Sequence, residues 1–126
     1  MYQKTIIIGR LGKDPEMRYT QGGDPVTTLS VATDRRWKDA NGQAMAKTTW
    51  FRVTAWRKLA EVVNQYCKKG DLIMAEGELS EPKPYQANDG SWRASLDLTA
   101  EAVKFLSGKR EAGADIEAIE NEGVPF

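Results

Sequence analysis

A chain of 126 residues with no histidine and a single cysteine, Cys67, lacks the side chains that most zinc sites and His- or Cys-dependent nucleophilic enzymes need, and it cannot form an internal disulfide. The length suits one domain with its own core, and no staple is required. The formal net charge is zero, but all 18 Lys and Arg fall in residues 1–110 beside only 13 Asp and Glu, an excess of five, while the other five acids occupy residues 111–126. A basic body with an acidic tail suits a polyanionic partner, with the tail as its competitor or mimic. The opening MYQKTIIIGRLGKDPE holds too short an apolar run for a signal segment or a membrane span. Together with the lone cysteine this leads us to expect a soluble cytoplasmic protein with no membrane partner.

In chain order, KTIIIGRL (4–11) and VTTLSVATD (26–34) are rich in β-branched residues and read as strands, with GGDP (22–25) as breaker chemistry between them. KDANGQ (38–43) carries Asn41-Gly42, a favoured hairpin dipeptide, and leads into the strand TTWFRVTAWRK (48–58). Alternation there puts Phe51, Val53 and Ala55 on one face and Trp50, Arg52, Thr54 and Trp56 on the other. Only the first face suits a core, because an unpaired guanidinium is costly to bury. The period then changes. Leu59, Val62, Val63 and Tyr66 recur at helical spacing, and Lys68-Lys69 before Gly70 reads as a positive last turn closed by a C-terminal glycine. Strand signals return in DLIMAEGEL (71–79), and the turn-rich KPYQANDGSWR (83–93) leads into a last strand, ASLDLTAEAVKF. Five main strands with one helix between the third and fourth is the order of an OB-fold, a mainly β, five-stranded Greek-key barrel. A small open sandwich fits the strand count almost as well. We take residues 1–107 as the folded domain and 108–126 as a short, flexible acidic tail.

One tryptophan is readily absorbed by a core, but here several rings stand beside cations. Trp37 lies next to Arg35, Arg36 and Lys38; Trp50 and Trp56 flank Arg52; Tyr85 and Trp92 bracket the second turn-rich stretch, with Lys83 and Arg93 close by. Aromatic platforms interleaved with cations are what binding single-stranded nucleic acid requires, since every base has a π-face and every nucleotide a phosphate.

The segments IIIGRLGKDPEMRYTQGG, LSVATDRRWKD, TTWFRVTAW, KLAEVVNQYCKKGD and AEGEL, in this order, resemble the bacterial-type single-stranded DNA-binding protein family over residues 4–106, and the final GVPF resembles that family's acidic tip ending in Pro-Phe. The resemblance implies an OB-fold, a homotetramer, and sequence-independent binding that protects and organises single-stranded DNA in replication, recombination and repair. It implies no enzymatic activity and no cofactor, and a nucleoid-associated place in the cytoplasm. Stacking roles carry over to Trp37, Trp50 and Trp56 and, with one inserted residue near Pro82 or Pro84, to Tyr85; Trp92 is added from its place in the hairpin. Phosphate contacts fall to Arg52, Lys58, Lys69, Arg35, Arg36 and Lys38. Replication and repair partners would be recruited by the tip, through Glu120, Glu122, Val124, Pro125 and Phe126. Two features depart from the pattern. Ser80-Glu81-Pro82-Lys83 stands where relatives often have a basic cluster, and about a dozen residues replace a long Gly, Gln and Pro-rich linker. Ile116 and Ile119 could also pack a helical turn of the tail onto the body.

Other motifs are weaker. Gly9-Arg10-Leu11-Gly12-Lys13 lacks the glycine spacing of a phosphate loop and has Asp14 where a hydroxyl is needed. Glu76, Glu78 and Glu81 could imitate a nuclease carboxylate set, but a solvated strand face is the simpler reading. The alternative from another class is an OB-fold protein-interaction adaptor of replication restart, with the rings serving protein contacts.

Overall fold

A computed structural model of the protein describes residues 1–107; the expected acidic tail, including Glu120, Glu122, Val124, Pro125 and Phe126, lies outside the described residues. The elements in chain order are β1 (Thr5–Leu11), β2 (Glu16–Tyr19), β3 (Pro25–Lys38), β4 (Ala44–Trp56), α1 (Arg57–Tyr66), β5 (Leu72–Leu79), β6 (Lys83–Gln86), β7 (Trp92–Ser95) and β8 (Asp97–Phe105). Hydrogen bonding runs β1-β5-β8-β4-β3, and a further pairing of Arg10 and Leu11 with Ala32 and Val31 joins β1 back to β3. That seam closes five strands into a barrel, so the open sandwich is set aside and the OB-fold stands. β2 adds to the outer edge of β3, while β6 and β7 form a separate hairpin.

Alternation along the strands builds the core. Ile7, Leu29, Val31, Val53, Ala55, Ile73, Ala75 and Leu98 point inward and are buried, and α1 adds Leu59, Ala60, Val62 and Val63. Apolar burial of this kind is the main favourable term in folding. The helix is tied down by the buried Thr27 hydroxyl, which donates to the Ala60 carbonyl at 2.7 Å. Gly9 owes its place to the barrel seam: a Cβ there would run into the Ala32 carbonyl. The glycines of GRLGK therefore serve packing, not a phosphate loop.

Three connections share one form. In Thr20–Asp24, Asp39–Gln43 and Ala87–Ser91 the first residue's N–H donates to the last residue's carbonyl. The glycine before the last residue (Gly23, Gly42, Gly90) has φ of 88°, 78° and 87° and donates back to the first carbonyl. These are three-residue hairpin loops closed by a left-handed glycine. In the third loop Asp89 accepts hydrogen bonds from the Ser91 hydroxyl and N–H, which holds its carboxyl below the usual carboxylate range.

The structure departs from sequence expectation at four points. β2 was not anticipated, because EMRY has no apolar alternation of its own and owes its extended form to pairing with β3. β3 and β4 run on through polar residues to the hairpin, well past the segments whose pattern marks them as strands. The helix stops at Tyr66 with no basic residue in its last turn. Lys68, Lys69 and Gly70 instead form a separate turn, in which Asp71 Oδ2 accepts from the Lys68 N–H and the Gly70 N–H donates to the Leu11 carbonyl. Lastly, the final strand breaks at Leu96, whose carbonyl accepts from the Arg52 N–H as the chain leaves the hairpin and enters the barrel.

Candidate nucleic-acid interface

Register defines the outer face of the barrel. β4 pairs with β3 so that Trp50 faces Ala32, Arg52 faces Ser30, Thr54 faces Thr28 and Trp56 faces Val26. Inward residues alternate with these: Val53 faces Leu29 and Phe51 faces Val31. Trp50 and Trp56 keep 53% and 42% of their surface although they belong to a strand whose other face is core. At about 3.3 Å per residue the two positions lie roughly 20 Å apart along the strand, with Arg52 between them. The predicted polar face is thus a track of ring, guanidinium, hydroxyl and ring.

Trp50 and Arg52 open onto a groove of about 310 Å³ that Tyr85 reaches from the β6–β7 hairpin and that Lys13, Glu16 and Arg18 line from the β1–β2 side. Trp56 ends β4 in an extended conformation, and the chain turns into α1 at Arg57, a non-glycine residue with φ of 56°. A second hollow of about 440 Å³ lies there, lined by Trp56, Arg57, Lys58 and Leu59 among others. Trp37, Arg36, Lys38 and Met45 line a third, of about 430 Å³, near the tip of the β3–β4 hairpin. The Arg35 guanidinium sits 5.3 Å from the Trp37 ring centroid, a cation–π distance.

The expected site residues are therefore not one cluster. Trp50, Arg52 and Tyr85 share the main groove, and Trp56 with Lys58 continues its face toward the helix. Trp37 pairs with Met45 and Arg35 with Lys47, positions that alternate with the Trp50 set, so they belong to the reverse face of the β3–β4 ribbon. Within the second hairpin Tyr85 faces Arg93 and Trp92 faces Gln86, so Trp92, 71% exposed, points away from the Tyr85 side. Lys69 lies in the turn that contacts the β1–β2 connection, where its N–H donates to Asp14 Oδ1 at 2.9 Å.

Four cations are held in ion pairs. Lys4, Lys13, Arg57 and Arg93 pair with Glu76, Glu16, Asp24 and Asp89. The hydrogen bond to Glu76 is the first cause of a raised Lys4 pKa, with Tyr2 adding to it. Among the described residues, Arg35, Arg36, Lys38, Arg52, Lys58 and Lys69 have no such carboxylate partner. These six are the predicted phosphate contacts, but Arg10, Arg18, Lys47, Lys68, Lys83 and Lys104 equally lack such a partner, so pairing alone does not single them out. No group of three or more metal-ligating side chains occurs among the described residues, and no helix there is long and apolar enough to cross a membrane. Sequence reasoning missed Lys13, Glu16 and Arg18 as groove residues, since only the β1–β3 seam and the pairing of β2 bring them beside Trp50.

Known proteins share this sequence pattern and this fold. A single-stranded DNA-binding protein of Neisseria meningitidis serogroup B is 47% identical over 108 residues, covering 86% of this chain and 62% of its own length. One from Xanthomonas axonopodis pv. citri is 39% identical over 108 residues, covering 86% and 59%. The chain thus spans about three fifths of the length of these curated relatives. The Plasmodium falciparum SSB solved in complex with ssDNA superposes with a TM-score of 0.70 at 26% identity, over 84% of this chain and 96% of that one. A deletion mutant of the Thermus aquaticus single-stranded DNA-binding protein gives 0.66 at 29% identity, over 84% and 51%. Residues 2–106 match the Single-strand binding protein family, and with that match the chain belongs to it.

Proposed function

We propose that this chain is a sequence-independent single-stranded DNA-binding protein, a binding module and not an enzyme, that protects and organises single strands in replication, recombination and repair. The observation that carries the reading is the outer face of β4, where two half-exposed tryptophans bracket the unpaired Arg52 beside a groove that Tyr85 also lines. Bases stack on the rings, at roughly 1–3 kcal/mol each, and cations take the phosphates. Neither contact reads base identity. The relative solved with ssDNA supports the same use of the fold.

Assembly into a homotetramer fits the outside of β1, where Ile6 and Ile8 are 57% and 54% exposed and Ile8 pairs with Met74. An apolar strip of this kind suits burial against another copy. Recruitment of partners through Glu120, Glu122, Val124, Pro125 and Phe126, and a nucleoid-associated cytoplasmic location, complete the proposal. The test is intrinsic tryptophan fluorescence titrated with oligo-dT over a salt series, on the wild type and on Trp50→Ala and Trp56→Ala. Strong quenching, salt-dependent affinity, and severalfold weaker binding by both folded variants are expected. Absence of quenching would favour the protein-interaction adaptor instead.

A further inference from the structure

We infer that the β1–β2 connection and β2 form the second wall of the DNA groove: Gly12 seats the Trp50 ring, and Lys13 and Arg18 take phosphate beside it. This deepens the single-strand reading above and rests on it.

Gly12 directly follows β1, and its N–H donates to the Ser30 carbonyl at 2.9 Å, which fixes its backbone against β3. A Cβ on this residue would lie 2.5 Å from Cζ3 and 2.6 Å from Cη2 of Trp50, closer than real Cβ contacts come. The three nearest atoms it would meet all belong to that ring. Nor does its φ fall in the left-handed range, so what a larger residue would have to displace is the Trp50 ring and not the backbone. The indole edge rests on bare backbone, while about half of the ring stays open to a base. Gly12 is on this account a positioning residue, because it acts on DNA only through Trp50.

The cations come from that connection and from β2. Lys13 Nζ is held by Glu16 Oε1 at 3.1 Å, with both side chains more than half exposed. Exposed pairs like this are weak and exchangeable, so a phosphate can displace the carboxylate. Arg18 Nη1 is 3.4 Å from the Thr28 hydroxyl, and no carboxylate pairs with it among the described residues. Its register partner Val26 pairs in turn with Trp56, so Arg18 lies on the face that carries the two rings. Glu16, left facing the strand once Lys13 is taken, acts as a brake by like-charge repulsion.

Anisotropy of dye-labelled oligo-dT, read over a salt series with melting temperatures alongside, tests the wall. Gly12→Ala should weaken binding at least fivefold, and in a Trp50→Ala background it should add nothing further. Lys13→Ala and Arg18→Ala should each make the log–log salt slope shallower by about 0.7, and Glu16→Gln should tighten binding at low salt only. Normal binding by Gly12→Ala beside a weakened Trp50→Ala overturns the seat alone; a Trp50→Ala variant that binds as the wild type overturns the seat and the binding-face reading together. Unchanged slopes in both cation variants overturn the wall. Should Gly12→Ala fail to fold, those two exposed positions still decide.

Discussion

Arg57 is the residue at which local preference and global fold disagree. Its φ of 56° is a left-handed conformation that L residues other than Asn and Asp seldom adopt, at a cost of roughly 1–2 kcal/mol. The strand ends at Trp56 and the helix begins at Arg57 with no connecting loop, so one residue has to make the corner. That corner leaves Trp56 on the outer face while Leu59 and Ala60 enter the core. The Arg57–Asp24 pair, at 3.7 Å and largely exposed, contributes too little to offset the strain. Arg57→Gly should therefore stabilise the protein by about 1 kcal/mol, a rise of about 4 °C in melting temperature for a domain of this size. Arg57→Ala is the control, since it removes the charge and keeps the strained backbone. Equal melting temperatures for the two variants would show that strain does not set the stability here. Nothing in WRKLAEVV foretells this corner, because an arginine carries no sequence signal for left-handed backbone.

At the scale of elements, what could be read in advance depended on whether one face of an element meets the core. The strand 48–56 was readable because Val53 and Ala55 are buried and Trp50 and Trp56 are not, a strict alternation. The helix was readable in its body and not at its end, where the burial of Asp71 and the bond from Gly70 to Leu11 draw the chain away before Lys68. In the second hairpin all residues of both strands are exposed or nearly so. No apolar pattern there specifies register, and a one-residue shift moves a ring to the other face. Both Tyr85 and Trp92 were expected to stack; the three-residue loop sets them on opposite faces. Tyr85→Ala should weaken binding severalfold even on a short oligo-dT of about 8 nucleotides, within the span of one OB-fold. Trp92→Ala should matter only for strands long enough to pass over the hairpin. Affinity measured against oligomer length separates the two rings, and equal losses on the short strand would place both in one site.

For the whole molecule the decisive quantity is the charge on either side of residue 110, an excess of five cations against five acids, and this was plain in the sequence while the division of the expected site among three hollows was not. A negative segment joined by a short stretch of chain to a basic body would compete with phosphates at a high effective concentration. Deleting residues 111–126 should therefore tighten oligo-dT binding severalfold at low salt. The gain must fade as salt rises, because exposed charges are screened beyond about 10 Å at 0.1 M. The proposed partner-recruiting tip can be tested separately. On that proposal the Phe126 ring would enter an apolar pocket of a replication or repair partner. Removing Phe126 alone leaves the five acids in place, so DNA affinity should hardly change while capture of replication or repair proteins is lost. Both measurements can be made on one pair of variants, by anisotropy and by pull-down. Weaker DNA binding at low salt after full deletion, or undiminished capture without Phe126, would mean that the acidic segment belongs to the folded body instead of competing with DNA and recruiting partners.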